Sequence, residues 1–162
     1  MEDLRMEGQA ERVGAAMTAI VTEGPKCKEF RIPTAEELCL EAESRQALQA
    51  AFATIPFGVP TEPLASKEAL GFRVPLYGVN QWNKLFVPRQ LLALGSFLRH
   101  TRMTQDVMRD EAYPEVWREA LTCCLALALD RTANYMSTVC IWEVIAAEIK
   151  QTFLRFALPM TW

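Results

Sequence analysis

The 162-residue sequence is poor in the residues from which catalytic centres and phosphate-binding loops are usually built. Its single histidine, His100, has no well-placed partners in the sequence, so neither a catalytic triad nor a histidine zinc pair is predicted. The seven glycines do not form the spaced motifs that hold phosphates, and Gly78 and Gly95 stand alone. We therefore expect a surface or hydrogen-bonded histidine and no standard nucleotide-binding loop.

Cysteine pairs with metal-binding or redox spacing are also missing. The chain has five cysteines, an odd number, and no two have the C-x-x-C spacing of a zinc ribbon or a redox motif. Residues 1–12 are largely charged and polar, unlike a secretory signal, and no apolar run is long enough to cross a membrane. Because unpaired cysteines suit a reducing compartment, we predict a cytoplasmic protein without membrane contact. The cysteines are Cys27, Cys39, Cys123, Cys124 and Cys140.

An excess of positive charge is absent as well. The chain has 17 lysines and arginines against 20 aspartates and glutamates, which gives a formal net charge of −3. Because phosphate contacts supply most of the affinity of DNA-binding domains, this balance argues against DNA binding as the sole function. A hydrophobic share of 51% and a charged share of 23% are typical of a folded domain rather than of a disordered segment.

The sequence does contain helical periodicity, interrupted by one stretch rich in proline and glycine. We predict a mainly α, bundle-like fold of four or five helices, with a short two-stranded β element near Phe30 and Phe72. Three parts are predicted along the chain: a small helical part at 1–55, a connecting loop at 56–76 and the main helical domain at 77–162.

Capping residues and prolines mark where the predicted helices begin. Thr34 and Glu37 have the spacing of a capping box, so a helix should run from there to about Ala53. Pro88 suits the first turn of the next long helix, which we expect to reach about residue 109. Pro114 opens a further helix in the same way.

Apolar patterns predict the remaining helices and the core. Four apolar residues from Val13 to Val21 favour helix up to residue 22. Residues 121–129 are apolar on nearly every side, which predicts a central core helix, and a last helix is predicted over 142–157. The residues expected in the core are Leu91, Leu94, Leu98, Leu121, Leu125, Leu129, Ile145 and Phe153.

Acidic clusters and a polar group at the end of the core helix are candidates for chemistry. The clusters at 36–43 and 106–111 could serve acid–base catalysis, but charged helical stretches of this kind are typical of a solvated face. Asp130 and Asn134 share one helix face beside Arg131. We expect a structural polar network there, with contact to a partner domain or DNA as the alternative.

Aromatic and basic residues are interleaved around the start of the helix at Pro88. Trp82, Lys84 and Arg89 belong to the types that bind flipped or single-stranded bases. The simpler hypothesis is a hydrophobic plug, with Trp82 and Phe86 packed under the helix. The candidate DNA or partner contacts are therefore Trp82, Lys84, Arg89, Asp130 and Arg131.

Several strings together resemble the adenine-specific DNA methylases that contain a zinc ribbon. YGVNQWNKLFVPRQLLAL at 77–94 is similar to the family's Y-G-hydrophobic-x-x-W-x-x-L-F-x-P-R-Q-hydrophobic motif. A second set begins with LALALDR at 125–131, continues through N-Y and S, and ends with C-x-W at 140–142. The third is T-F followed by A-L-P-M-x-W, at 152–162. Upstream, EGPK at 23–26 with residues 31–37 is similar to the stretch that precedes these motifs in the family. The order and approximate spacing of the strings are therefore kept over nearly the whole chain.

The resemblance implies a role without chemistry for this chain. Such methylases transfer a methyl group from S-adenosylmethionine to adenine, using a glycine loop for the cofactor and a D-P-P-Y-type motif for the flipped base. In the family the resembled segment lies between these two motifs, and this chain has neither of them, nor the zinc-ribbon cysteines. It also departs from the family at Val87, where Thr or Ser is usual, and at 141–147, where the family is more polar. No catalytic, cofactor-binding or metal-binding residue is carried over, so the chain alone is not expected to be an enzyme.

Two functions fit these observations. In the first, the chain is a non-catalytic helical region or fragment of such a methylase, which positions DNA or docks the catalytic domain. In the second, it is a free-standing module that binds a protein partner or a second copy of itself. A large apolar patch near the C-terminus would favour protein contact. DNA contact would be favoured by a basic patch made of Lys84, Arg89, Arg99, Arg102 and Arg109.

Overall fold

The computed structural model describes residues 2–152, apart from the side chain of Leu70. Helices make up most of the described chain: α1 (Glu2–Gln9), α2 (Ala35–Phe52), α3 (Lys67–Leu70), α4 (Pro88–Asp110) and α5 (Glu115–Met136). Two antiparallel ribbons accompany them: β1 (Ile20–Glu23) with β2 (Lys28–Arg31), and β3 (Trp142–Glu143) with β4 (Glu148–Ile149). Short 3-10 helices cover Val74–Tyr77 and Trp82–Leu85. The predicted mainly α fold with a small β element is confirmed.

Two of the predicted helix starts form through the local chemistry expected of them. At α2 the Glu37 amide donates to Thr34 Oγ1 over 3.3 Å, and the Thr34 amide donates to Glu37 Oε2 over 2.8 Å. This reciprocal pair satisfies two amides that the first turn would otherwise leave unbonded. At α4, Val87 has no hydroxyl to offer, but its amide donates to Gln90 Oε1 over 3.0 Å. Half of a capping box therefore replaces the Thr or Ser cap.

The N-terminal helix is shorter than predicted. Helix α1 ends at Gln9, and of the four apolar residues expected to continue it, Ile20 and Val21 enter β1, where Val21 pairs with Phe30 of β2. The β-branched run at 20–22 favours extended backbone, and the following Gly-Pro turn brings 28–31 back alongside it. The strand that contains Phe30 therefore pairs with its neighbour in sequence rather than with the chain near Phe72.

The last predicted helix, over 142–157, is also wrong in its described part. Strands β3 and β4 occupy this region, and Ile145, expected in the core, is 96% exposed between them. The chain is held here by bonds to the end of α5 and to the segment that follows it: the Thr152 amide donates to the Asn134 carbonyl over 2.8 Å, and the Lys150 amide to that of Ile141 over 2.8 Å. Phe153 and the rest of the predicted helix lie outside the described residues.

The core lies where the proline-rich loop meets the ends of α2 and α4. One buried cluster contains Leu64, Val74, Leu85 and Val139, and a second contains Phe52, Ile55 and Leu91. Phe86 packs against both clusters and joins them. The connecting loop predicted at 56–76 therefore supplies Leu64 and Val74 to the buried core.

Helix α4, rather than α5, is the central helix. It packs against α2 on one side and α5 on another, and Gly95 permits the close approach to α2: a Cβ there would lie 2.6 Å from the Phe52 ring. Of the predicted core residues, Leu91 is buried; Leu94, Leu98 and Leu129 are half-buried; Leu121 and Leu125 are exposed. No residue of α5, all of which is described, is buried. Among the described elements, α4 is the one against which α5 packs extensively.

Within residues 2–152, the structure has no helix whose length and apolarity would let it cross a membrane.

Candidate docking groove

An open groove of about 580 Å³ runs between the loop after α2, helix α4 and helix α5. Most of its wall is apolar, and α5 contributes the small side chains Ala126 and Ala133, which leave the groove wide. The volume lies in the range of sites that hold a small ligand or a few side chains of a partner. The large apolar residues of its wall include Phe52, Ile55, Phe86, Leu91, Leu94 and Leu98.

Two carboxylates, Glu62 and Asp130, line this apolar groove, and they are the charged residues of its described wall. Both are exposed, and within residues 2–152 neither carboxylate has a hydrogen-bond or ion-pair partner. Two unpaired charges of one sign beside a low-dielectric surface favour the approach of a cation. The groove therefore combines a surface for apolar side chains with a preference for positive charge.

Phe57 projects from the loop at one end of the groove. Its side chain is fully exposed, and its backbone has φ +69°, followed by Gly58 at φ +66°. The left-handed conformation costs a residue with a Cβ about 1–2 kcal/mol, and an exposed phenyl ring gains no burial in return. Strained residues of this kind collect at binding sites, so Phe57 is a candidate contact for whatever enters the groove.

The structure brings two of the five predicted site residues into the groove. Trp82 and Asp130 both line it, although they are far apart in sequence and were singled out for different reasons. The plug hypothesis expects both Trp82 and Phe86 to be packed under the helix. Phe86 packs against both core clusters, whereas Trp82 is partly exposed. Lys84, Arg89 and Arg131 do not line the groove wall.

The three remaining predicted residues have partners elsewhere. Lys84 Nζ lies 2.7 Å from Glu11 Oε1, and the Lys84 side chain holds the pKa of Glu11 below its ordinary value. Arg89 Nε lies 2.8 Å from Glu41 Oε2. The Arg131 guanidinium lies 5.5 Å from the centre of the Tyr135 ring. Each basic group is engaged within the chain rather than directed at an open binding surface.

Ion pairs within the chain also reduce the free positive charge of the basic patch that would favour DNA binding. Arg109 is paired with Asp106, as Lys84 is with Glu11 and Arg89 with Glu41. Arg99 and Arg102 have no ion-pair partner within residues 2–152. Because three of the five cations face acidic side chains, the local charge available to a phosphate is reduced.

A polar network does form at the end of α5, and of the predicted residues it includes Asn134 but not Asp130 or Arg131. Thr152 Oγ1 donates to the Asn134 carbonyl over 2.7 Å and lies 2.9 Å from Ser137 Oγ. Cys140 Sγ lies 3.5 Å from Thr152 Oγ1 and 3.4 Å from Ser137 Oγ. Thr152 and Ser137 are buried, so these bonds satisfy hydroxyls that water cannot reach. Asp130 takes no part, which leaves its carboxylate to the groove.

The other candidates for chemistry have structural roles. His100 is exposed, and its Nδ1 lies 2.8 Å from the Ser96 carbonyl oxygen. Glu37 is bound by Arg31 and by the Thr34 amide, which lower its pKa to about 2. Within residues 2–152 no three His, Cys, Asp or Glu side chains gather in a way that could hold a metal ion. The cysteines are free, and all but Cys140 are exposed.

Glu62, Phe57 and Thr101 are groove residues that the sequence did not identify. Residues 56–63 were recognised as loop from their prolines and glycine, and that composition contains no signal for which side chains face a partner. Thr101 lies on α4 among charged residues, without any distinguishing pattern.

Comparison with known proteins gives no relative: no protein-family model matches the chain, and neither curated proteins nor solved structures match it significantly.

Proposed function

We propose that the chain is a non-catalytic helical docking segment related to the zinc-ribbon adenine-specific DNA methylases. Its groove receives an apolar segment that carries a lysine or arginine, supplied by the catalytic part of such an enzyme. The observation that carries this proposal is the open apolar groove with two unpaired carboxylates, Glu62 and Asp130. Five free cysteines support a reducing, cytoplasmic location for the complex.

Charge favours a protein segment over DNA as the occupant. Glu62 and Asp130 would repel a phosphate backbone, whereas they would attract an ammonium or guanidinium group. Lys84 and Arg89, the cations closest in sequence to Trp82, already have acidic partners. Positioning of DNA would have to rely on Arg99 and Arg102, on the exposed side of α4.

The relation to the methylases is supported by how the resembling strings fold together. Leu85, from the string at 77–94, is 1% exposed, and its carbonyl accepts from the Thr138 amide and from Thr138 Oγ1, both over 2.8 Å. The second and third strings meet in the network of Asn134, Ser137 and Thr152. Residues that hold segments together in this way carry fold rather than chemistry, as a non-catalytic region of a larger enzyme requires. S-adenosylmethionine would belong to the catalytic part.

A titration with two designed peptides tests the groove. Both are helical and rich in leucine and alanine; one carries lysines and the other glutamates at the same positions. We expect the lysine peptide to bind at least about tenfold more tightly, and Asp130→Asn and Glu62→Gln each to weaken it roughly two- to fivefold, the size expected for an exposed ion pair. Glu43→Gln, on the exposed face of α2, is the matched control and should change nothing.

Duplex DNA at two salt concentrations completes the titration. Equal binding of the two peptides would contradict the groove proposal. Salt-sensitive DNA binding that disappears on Arg99→Ala and Arg102→Ala would instead favour DNA positioning.

The relation to the methylases has its own test: a zinc-ribbon methylase whose corresponding segment is replaced by residues 1–162 should fold and methylate adenine. A folded chimera without activity would contradict the functional equivalence.

A further inference from the structure

The last residue that the structure describes, Thr152, forms part of the wall of the docking groove, beside Asn134. The Thr152 amide donates to the Asn134 carbonyl over 2.8 Å, and its hydroxyl donates to the same oxygen over 2.7 Å. Thr152 is 2% exposed, so these bonds are shielded from water. The residues that follow in the sequence, 153–162, are therefore tethered to the groove wall at their first peptide bond.

The sequence at 153–162, FLRFALPMTW, matches the groove in composition and in charge. Seven of its ten residues are hydrophobic, and Arg155 provides its one charged side chain. The groove wall is mostly apolar, and its two carboxylates, Glu62 and Asp130, have no partner within residues 2–152. A cation carried by an apolar segment is the occupant that such a wall favours.

The chain that leaves Thr152 is long enough to bring Arg155 to Asp130. Asp130 and Asn134 are four residues apart on α5 and share one face of it, so about 6 Å of helix rise separates Asp130 from the residue that holds Thr152. Three residues of extended chain span up to roughly 11 Å. The tether therefore permits an ion pair between Arg155 and Asp130.

We propose that residues 153–162 of the same chain occupy the groove until a partner segment displaces them, with Arg155 paired to Asp130. This inference rests on the proposed function and adds the regulation of the same site: the chain's own segment competes with the segment of the catalytic part. The groove, of about 580 Å³, holds a few apolar side chains of either segment, so both cannot enter together.

The tether favours the chain's own segment over the same segment of a second copy. A short flexible connection gives a bound segment an effective concentration on the order of millimolar. A second copy would have to reach a similar concentration in solution to compete with it. Occupation by residues 153–162 should therefore be independent of protein concentration.

A thiol in the groove wall tests the proposal in the full chain. Ala126→Cys introduces this thiol on the exposed groove side of α5, after the four exposed cysteines are replaced by serine. Adding Arg155→Glu should speed its alkylation roughly two- to fivefold, the size expected for loss of an exposed ion pair. Adding Leu158→Glu as well should speed it at least about tenfold, because a buried leucine is then lost from the groove.

Two controls separate uncovering of the groove from unfolding and from a general effect of charge. The half-buried Cys140 is kept as an internal reference and should stay slow in every variant, since faster alkylation there would report loss of the fold. Lys26→Glu carries the same change in charge as Arg155→Glu but lies in the turn between β1 and β2, and it should leave the rate at Ala126→Cys unchanged.

The result that overturns the proposal is alkylation at Ala126→Cys that is equally fast in the full chain and in both Arg155 variants. Protection that increases with protein concentration would also overturn it, because a second copy would then be the occupant. The lysine peptide tests the proposed function separately in the variant with Arg155→Glu and Leu158→Glu, where it should restore protection. Failure of the peptide there, with protection by residues 153–162 intact in the full chain, would contradict the proposed function and leave this inference standing.

Discussion

The irregular segment at 55–86, which includes the predicted loop at 56–76, and helix α5 are buried in the opposite order from what their compositions suggest. The irregular segment, broken by prolines and glycines, supplies Leu64, Val74 and Leu85 to the best-buried cluster, and Val74 and Leu85 are at most 1% exposed. Helix α5, apolar on nearly every side over 121–129, has no buried residue among its 22. The less regular segment forms the core, and the more apolar helix lies at the surface.

The difference teaches that burial depends on how many sides of a segment the chain covers, rather than on how apolar the segment is. Thr138, which follows α5, holds the irregular segment against the core. Both its amide and its hydroxyl donate to the Leu85 carbonyl. Among the described elements, the extensive contact of α5 is with one helix, α4. A helix that is apolar all round and covered on one side has surface left for other molecules.

The strongest test of this comparison is truncation of one leucine in each region. Leu85→Ala should lower the free energy of unfolding by about 3–5 kcal/mol, because it empties a fully buried site. Leu125→Ala, on the exposed side of α5, should lower it by less than about 1 kcal/mol at monomer concentrations. Urea unfolding followed by circular dichroism gives both values. Similar losses at the two sites would mean that α5 is buried after all.

A smaller effect is expected from the contact that makes α4 the central helix. Gly95→Ala places a methyl group 2.6 Å from the buried Phe52 ring and should cost about 1–3 kcal/mol in stability. Gly14→Ala is the matched control, because a Cβ there meets nothing within 4 Å, and its stability should be unchanged or slightly raised. A stable Gly95→Ala protein would contradict the close packing of α2 on α4.

Substitution of Phe57 should raise the stability rather than lower it, because the backbone is strained there and the side chain is fully exposed. Phe57→Gly should raise the free energy of unfolding by about 1 kcal/mol, because glycine accepts φ +69° without strain and no buried contact is lost. The same variant should bind the lysine peptide more weakly. Thermal unfolding and the peptide titration measure the two effects, and a destabilised Phe57→Gly chain would show that the ring is packed.

The smallest effect concerns pH and lies outside both regions. The folded pKa of Glu37 is lowered from 4.5 to about 2 by Arg31 and the Thr34 amide. The carboxylate therefore adds stability at pH values above 4.5, and this contribution is lost as the pH falls from 4.5 to about 2. The melting temperatures of wild type and Glu37→Gln should differ by a constant amount above pH 5 and converge as the pH falls to about 2. A difference that stays undiminished between pH 5 and pH 2 would contradict the assigned pairing.

Features set by neighbours in sequence could be predicted from the sequence. The capping pair of Thr34 and Glu37 and the proline at position 88 fix the starts of α2 and α4, because their bonds reach three residues or fewer along the chain. The β1–β2 ribbon was placed only in part: the strand at Phe30 was expected, but its partner was not. The Ile20-Val21-Thr22 run satisfied helical spacing and strand propensity equally well, and pairing decided between them.

Features set by distant contacts could not be predicted. The exposure of Leu121 and Leu125 depends on what covers α5, and the strands at 142–149 depend on bonds back to Asn134 and Ile141. Trp82 and Asp130 were chosen for their chemical type, and the structure places both in one groove. Lys84 and Arg89 were chosen on the same grounds, but their ion pairs with Glu11 and Glu41 join residues far apart in the chain and leave no pattern in the sequence.

Thiol alkylation on α5 tests the central claim most directly, because Cys123 and Cys124 are both exposed on this apolar helix. Alkylation rates at each thiol are measured by mass spectrometry in dilute protein, with the half-buried Cys140 as the slow reference. The account predicts that both thiols of α5 react much faster than Cys140. Reaction of both as slow as that of Cys140 would place α5 inside the fold and would contradict the account.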